Sequence, residues 1–361
     1  MEAISSIEDK FNSTFSVQEL VKESIITIPQ HYVHLDQQPP SLGAAPPFQM
    51  LPIIDMNQLV FGEDFDLQLE KFHSTCKEWG FFQLVNHGIK SSILERVKHE
   101  VEGFSKLPFE EKMKYKIREG EFEGYGTQER GGKKFDWSDR LYMTTNPILR
   151  RKPHLFPELP SSLRNTMESY ILELQELGTK LLSLIAKALK IDEKEMIEYF
   201  EDGMQSIRMT YYPSCPQSKL VMGFTPHSDS TLLTILFQLN GVDGLHIRKD
   251  GVWFPVSILP NALVINVGDI LEIYSNGVYR SIEHKVVPNS KKERMSVAFF
   301  INPKLEADVG PSPNLINPNN PPLFKRVGME QCVQDFFSHK LNGKAYLQHM
   351  RINDEGNDNP A

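Results

Sequence analysis

Three residues in the second half of the chain have side chains and spacing that suit a transition metal. His227 and Asp229 lie two positions apart just before the apolar run 231–239, and His284 follows a run that alternates like a strand. Residues i and i+2 of an extended chain point to the same face, so the imidazole and the carboxylate can converge on one ion. Two histidines and one carboxylate leave coordination positions open, as in catalytic non-haem Fe(II) sites, whereas a structural zinc site closes all four.

Simpler interpretations of these three residues remain open on this evidence. The chain contains 11 histidines, so one H-x-D could arise by chance. His227 and Asp229 could form a hydrogen-bonded surface pair, and His284 could be an ordinary core or edge histidine.

A second pair of residues favours the metal interpretation. Arg294 and Ser296 open the strand-like run 296–301 and share one face of it. A guanidinium beside a hydroxyl suits a carboxylate, which can accept a bidentate pair of hydrogen bonds and one more. The alternative is that Arg294 lies on an edge strand and forms a surface ion pair. Its position ten residues after His284 favours instead a carboxylate anchor near the metal.

The elements that must position these residues are short strands. From about residue 204, β-branched and aromatic runs alternate with turn signals, which predicts an all-β sandwich or barrel. The predicted strands are 207–212, 231–239, 245–247, 263–267, 281–287 and 296–301. The fold class that we predict is mainly β with flanking helices, a double-stranded β-helix (jelly-roll) core preceded by a helical region.

The first half of the chain is predicted to pack on this core. Helical patterns cover 17–26, 66–79, 91–106 and 159–200, the last broken at Asp192, and strands are expected at 51–54 and 80–88. A Pro-rich passage before residue 50 resembles an extended surface arm. We therefore divide the chain into a helical and strand region (1–203), a catalytic core (204–303) and a C-terminal segment closing the barrel (304–361), together forming one structural unit.

Composition narrows the class of protein. The formal net charge is −8 and no long Lys/Arg block is present, which argues against a nucleic-acid partner. Three widely spaced cysteines fit neither a disulfide framework nor a zinc site. No signal peptide and no apolar run of membrane-spanning length is found. We expect a cytoplasmic monomer that acts on a small molecule.

At this point the motifs resemble a known family. HSD (227–229), EH (283–284) and RMS (294–296) match the H-x-D, distal H and R-x-S motifs of the 2-oxoglutarate- and Fe(II)-dependent dioxygenases. KEWGFFQLVNHG (77–88), YYPSCPQ (211–217) and NVGDILEIYSNGVYRSIEH (266–284) resemble its plant branch, over nearly the whole chain. Within that branch, the sequence resembles most the group of thebaine and codeine O-demethylases and norcoclaurine-synthase-like proteins.

The resemblance implies cofactors and residue roles. Fe(II) would be bound by His227, Asp229 and His284, and the distal carboxylate of 2-oxoglutarate by Arg294 and Ser296, with O2 as oxidant and ascorbate as a supporting reductant. Tyr212 and position 210 would also contact the co-substrate. Position 210 is a threonine here, whereas the family usually has asparagine, so we expect weaker or water-mediated binding at that contact. His246, where glutamine is common, is interpreted as a strand residue.

Substrate contacts are predicted from aromatic residues. Phe300 lies on the face of Ser296, and the loop-like stretch 125–142 could cap the barrel with Tyr125, Phe135, Trp137 and Tyr142; plain core packing is the alternative for each.

The resulting functional hypothesis is hydroxylation or O/N-demethylation of a small plant specialised metabolite, alkaloid-like or aromatic, coupled to conversion of 2-oxoglutarate to succinate and CO2. One alternative is a flavonoid- or hormone-modifying oxidase of the same family. A hormone oxidase should hold its acidic substrate with a basic pocket residue, and the sequence identifies none. A further alternative is a silent binding protein that keeps the barrel.

Overall fold

The structure is a computed structural model that describes residues 16–23, 27–34, 50–127, 129–130, 134–338 and 344–352. The predicted Pro-rich arm, with its proline pairs at 39–40 and 46–47, lies outside the described residues. The helix predicted over 17–26 is described from Val17 to Lys22, and its predicted residues 24–26 also lie outside the described part.

Helices flank the β core, and most of them precede the core strands in the chain. In the described residues they are α1 (Val17–Lys22), α2 (Met56–Phe61), α3 (Phe65–Glu78), α4 (Ser91–Ser105), α5 (Phe109–Met113), α6 (Ser161–Leu189), α7 (Glu193–Phe200), α8 (Asp269–Tyr274), α9 (Met329–Ser338) and α10 (Ala345–Met350). The predicted break at Asp192 is confirmed, because its side chain accepts a hydrogen bond from the Lys194 amide and caps α7.

The strands that build the core are short and mostly antiparallel. In the described residues they are β1 (Ile53–Asp55), β2 (Phe81–Val85), β3 (Gly124–Gly126), β4 (Glu129–Arg130), β5 (Lys134–Phe135), β6 (Asp139–Asn146), β7 (Gln205–Tyr212), β8 (Phe224–His227), β9 (Leu233–Gln238), β10 (Leu245–Lys249), β11 (Val252–Pro255), β12 (Leu263–Val267), β13 (His284–Val286), β14 (Arg294–Ile301), β15 (Asp308–Val309) and β16 (Val327–Gly328).

Two sheets face each other across the core. The larger has the order β1-β2-β12-β9-β14-β7-β6-β3, and the smaller has the order β11-β10-β13-β8. The larger sheet joins strands from both sides of the predicted boundary at 203/204, so the N-terminal region supplies part of the same sheet as the core. The jelly-roll core with flanking helices is therefore confirmed, whereas the three-part division stays a prediction.

The larger sheet has one apolar and one polar face, which decides where chemistry can occur. Alternate residues of β14, among them Val297 and Phe299, belong to the hydrophobic core that includes the long helix α6. Tyr170 of α6, for example, contacts Phe237 with ring centroids 6.5 Å apart. The other β14 residues turn toward the smaller sheet and pair across to β7: Arg294 with Tyr212, Ser296 with Thr210, Ala298 with Arg208, and Phe300 with Ser206.

Two sequence predictions need correction. In its described residues the stretch 125–142 is not a loop, since it includes the end of β3, all of β4 and β5 and the start of β6, and β6 pairs with β7 inside the larger sheet. The strand predicted over 281–287 covers only His284–Val286. The strand Phe224–His227 was missed, because it has four residues and includes Pro226, which weakens the sequence signal for a strand.

Candidate metal and co-substrate site

The smaller sheet brings the three predicted metal ligands together. His227 ends β8 and His284 begins β13, and these residues are directly opposite each other in the antiparallel pair. Asp229 follows β8, with its Oδ1 atom 3.5 Å from Nε2 of His227 and 3.7 Å from Nε2 of His284. One donor atom from each residue lies within 4.8 Å of the others, and all three residues are buried. Such a group can bind one metal ion between them.

The carboxylate of this group is held in place from the larger sheet. Its Oδ2 atom accepts hydrogen bonds from Thr234 of β9 at 2.6 Å and from Asn266 of β12 at 2.8 Å. Burial by itself would raise the pKa of Asp229, but the positive charge of the His284 and His227 rings when they are protonated, together with the hydrogen bonds, outweighs burial and leaves the pKa well below its usual value. The carboxylate is therefore ionised and oriented, with Oδ1 directed to the histidines.

Both imidazoles are oriented by backbone carbonyls. Nδ1 of His227 donates to the carbonyl of Thr225 at 2.7 Å, and Nδ1 of His284 donates to that of Ile282 at 3.2 Å. A proton on Nδ1 leaves Nε2 with a lone pair, which is the form that ligates metals. Two neutral nitrogens and one carboxylate oxygen suit Fe(II) with open coordination positions.

The predicted carboxylate anchor lies on the polar face of β14. Nε of the buried Arg294 donates to Gln238 at 3.2 Å, and Nη1 donates to Ser296 at 3.4 Å. The buried Nη2 atom has no hydrogen-bond partner among the described residues. Burial lowers the pKa of Arg294, although it stays far above neutrality for a guanidinium. A buried cation with an unsatisfied donor fits an anionic ligand such as the carboxylate of 2-oxoglutarate.

The other two predicted co-substrate residues lie beside this anchor. The Tyr212 ring has its centroid 5.0 Å from Cζ of Arg294, and Thr210 is buried directly across from Ser296. The structure thus places the anchor and both β7 residues on one continuous surface of the barrel interior.

A cavity of about 260 Å³ opens beside the metal group. His227 and Asp229 contribute to its wall, and the predicted substrate residues Phe300 and Tyr142 do so as well. The remaining lining residues are Phe122, Arg140, Thr144, Met204, Gln205, Ser206, Arg208, Phe224, Ser230, Thr231, Asn302, Leu305, Met329, Cys332, Val333 and Tyr346. A small molecule bound here would lie next to the metal.

Three predicted substrate residues are not in the cavity wall. Tyr125 is buried and donates to Asp139 at 3.0 Å. Phe135 and Trp137 pack against Tyr32 in a separate core cluster with the N-terminal helix. These three aromatics instead pack between the N-terminal segment and the barrel, as expected from the alternative of plain core packing.

Sequence reasoning missed two arginines of the cavity, Arg140 and Arg208. The signal was present, since Arg208 stands two and four positions before Thr210 and Tyr212 and therefore shares their strand face. Arg140 is opposite Thr210 on β6, a segment that was interpreted as a loop. His246 lies in β10 opposite Lys285, as predicted for a strand residue.

Among the described residues, no helix has the length and apolar character needed to cross a bilayer. The cysteines Cys76, Cys215 and Cys332 are buried free thiols.

Comparisons with known proteins agree with this site. Residues 203–303 match the 2OG-Fe(II) oxygenase superfamily, and residues 51–159 match the N-terminal region named for a non-haem dioxygenase in morphine synthesis. Codeine O-demethylase of Papaver somniferum is 46% identical, with 93% of this chain and 96% of that protein covered. Protein SRG1 of Arabidopsis thaliana is 48% identical, with the same coverage.

The fold has a similar counterpart among solved structures. The crystal structure of JOX2 in complex with 2OG, Fe and JA has a TM-score of 0.86 at 31% identity, covering 94% of this chain and 98% of that one. With matches over both halves of the chain and a site that fits both cofactors, this chain belongs to the 2OG-Fe(II) oxygenase superfamily and is a 2-oxoglutarate-dependent dioxygenase.

Proposed function

We propose that this enzyme O-demethylates a small methoxylated aromatic plant metabolite at an iron bound by His227, Asp229 and His284. The distal carboxylate of 2-oxoglutarate binds Arg294 and Ser296, with Tyr212 and Thr210 beside it. The enzyme acts as a cytoplasmic monomer without nucleic-acid or membrane partners. The observation that carries the proposal is the shared interior surface, which brings together the metal group, an aromatic-walled cavity and Arg294, whose Nη2 atom has no partner among the described residues.

The cofactors would carry out the oxidation, and the protein positions the metal ligands and the substrate. When bound by His227, Asp229 and His284, Fe(II) together with 2-oxoglutarate and O2 would supply the oxidising chemistry, with succinate and CO2 as the co-products. Thr234 and Asn266 keep the Asp229 carboxylate fixed, so the ligand set does not need to reorganise. The apolar wall, including Phe224 and Phe300, limits water near the reacting carbon.

The names of two relatives suggest that the reaction is O-demethylation. Besides codeine O-demethylase, the oxoglutarate-dependent flavonoid 7-O-demethylase 1 of Ocimum basilicum is 44% identical, with 93% of this chain covered. In O-demethylation one oxygen atom of O2 is inserted into a methyl C–H bond and the other enters succinate. The hemiacetal then breaks its O–CH2 bond, releasing formaldehyde and the free hydroxyl compound. Hydroxylation at another carbon uses the same site.

The test measures three products of one turnover. The Fe(II)-loaded enzyme is incubated with 2-oxoglutarate and a panel of methoxylated flavonoids, coumarins, alkaloids and indoles, and succinate, formaldehyde and the demethylated product are quantified. The proposal expects formaldehyde and succinate in equal amounts for the substrates accepted. Succinate formed with a hydroxylated product and no formaldehyde would assign hydroxylation instead, and no substrate-stimulated succinate at all would contradict the proposal.

A second candidate is a flavonoid- or hormone-modifying oxidase. The specific observation in its favour is the basic residue that such an oxidase should have, which the cavity supplies as Arg208. JOX2, the similar solved structure, was crystallised with JA. In the panel, this candidate predicts turnover of acids or phenols that lack a methoxy group.

A further inference from the structure

Glu272 is a buried acid on α8 for which the proposed chemistry has no role yet. Its side chain is 5% exposed, and its Oε2 atom accepts a hydrogen bond from the amide of Ser281 at 2.8 Å. The same atom accepts one from Nζ of Lys344 at 2.9 Å, and Oε1 accepts one from Nη2 of Arg351 at 3.4 Å. One carboxylate thus joins a loop of the barrel to two cations near the C-terminal end of the described chain.

The contact with the Ser281 amide leads directly to the metal group. Ser281 stands three positions before His284, and the carbonyl of the intervening Ile282 accepts the Nδ1 hydrogen bond that orients the His284 ring. The other metal-bearing loop is held by α8 too, since the Asp269 amide donates to the carbonyl of Asp229 at 2.7 Å. Groups that orient metal ligands in this way tune the affinity of the site.

The two cations belong to residues 344–352, which we call the α10 segment. Its Tyr346 lines the cavity beside the metal group. Its Leu347 and Met350 are buried in the main hydrophobic core, and the carbonyl of Met350 accepts a hydrogen bond from the Lys325 amide at 2.8 Å. The α10 segment is therefore part of the wall of the substrate cavity, and its docking on the barrel decides whether that wall is complete.

Charge burial makes these two contacts depend on each other. A carboxylate this deeply buried is stable only with its cations and hydrogen bonds in place. When the α10 segment separates from the barrel, Glu272 loses both cations, and turning its carboxylate toward water costs the hydrogen bond to Ser281. In the other direction, a metal that fixes His284 holds the Ser281 amide where the carboxylate needs it. Coupling of this kind is reciprocal.

We propose that Glu272 is a positioning residue that couples docking of the α10 segment to placement of the metal ligand His284. Its side chain belongs neither to the cavity wall nor to the metal group, so it acts through the two segments that it joins. The inference rests on the proposed function for its metal site and is independent of which substrate the cavity binds.

The experiment compares metal binding with protection of the α10 segment in the full-length enzyme without oxygen. Fe(II) affinity is measured by calorimetry. Opening of the α10 segment is measured by amide hydrogen exchange of the peptide that contains α10, with and without Fe(II). Thermal unfolding of each variant shows whether it is folded.

Two variants remove the coupling from opposite sides. Glu272→Gln keeps an oxygen for the backbone amide but loses the charge that pairs with both cations. The double variant Lys344→Met and Arg351→Met leaves the barrel unchanged, so it tests the coupling independently of the folding of Glu272→Gln. Lys344→Arg is the conservative variant that keeps the charge. The matched control is Glu168→Gln, which removes an acid of α6 that pairs with Arg151.

In the unmodified enzyme, Fe(II) should slow hydrogen exchange of the α10 segment by about fivefold or more, the usual size of coupling between two sites. Glu272→Gln and the double variant should bind Fe(II) about tenfold more weakly and lose most of the protection that Fe(II) confers. Lys344→Arg and Glu168→Gln should keep both properties. An acid with a merely structural role would raise exchange equally with and without Fe(II) and leave the affinity unchanged.

Two outcomes would overturn the proposal. In the first, Fe(II) leaves exchange of the α10 segment unchanged in the unmodified enzyme. In the second, the variants open the α10 segment while Fe(II) affinity stays the same, which would make Glu272 a structural ion-pair residue. Failure of the proposed function is distinguishable, because it would appear as Fe(II) binding that Asp229→Ala does not weaken.

Discussion

Removing the guanidinium of Arg294 gives the most direct test of the co-substrate anchor. Arg294 is 1% exposed and hydrogen-bonded to Gln238 and Ser296, and its Nη2 atom has no hydrogen-bond partner among the described residues. In Arg294→Ala the carboxylate of 2-oxoglutarate would lie in a buried site without its cation. An unpaired buried charge costs about 3–5 kcal/mol, and each ~1.4 kcal/mol is tenfold in affinity. We therefore expect the KM for 2-oxoglutarate to rise by about two orders of magnitude or more.

The assay is succinate formation at fixed Fe(II) and varied 2-oxoglutarate, with direct binding followed by anaerobic titration. Arg294→Lys keeps the positive charge but cannot form the bidentate pair of hydrogen bonds. Its KM for 2-oxoglutarate should therefore lie between those of the unmodified enzyme and Arg294→Ala. Arg96→Ala, on an exposed helix position, is the control. An unchanged KM in Arg294→Ala, with iron binding intact, would refute the anchor assignment.

The remaining predictions address the metal group, the co-substrate, the cavity and stability. Thr234→Val removes a 2.6 Å hydrogen bond to Asp229 and should weaken Fe(II) binding about ten- to hundredfold by calorimetry; equal affinity would contradict the role of that bond. Thr210→Asn should lower the KM for 2-oxoglutarate about two- to tenfold, and an increase would mean that threonine is the better fit. Phe300→Leu should raise the KM of an aromatic substrate about two- to tenfold while iron affinity stays constant. Asp139→Asn should lower the free energy of unfolding by about 1–3 kcal/mol and expose α1 to proteolysis, because the buried carboxylate accepts the amides at the start of that helix; unchanged stability and cleavage would contradict this.

Most of the iron site could be predicted from local spacing. His227 and Asp229 share a face because an extended chain repeats every two residues, and the same rule pairs Arg294 with Ser296. The helix α6 and the break at Asp192 also followed from local patterns, since helical periodicity and its interruption are read within a few residues. His284 was chosen as the third ligand because it follows a run that alternates like a strand, and the Arg294 and Ser296 pair ten residues later favoured that choice.

What the sequence alone determined is therefore the reaction class and the residues that repeat on one strand. Tertiary structure decided which aromatic and basic side chains reach the cavity, because that depends on strand order and on the sheet that each face meets. Tyr142 and Phe300 reach it, whereas Tyr125 and Trp137 turn to the N-terminal segment. Arg208 lies beside two phenyl rings in this cavity because β8 and β14 bring Phe224 and Phe300 next to it, a result of contacts distant in sequence.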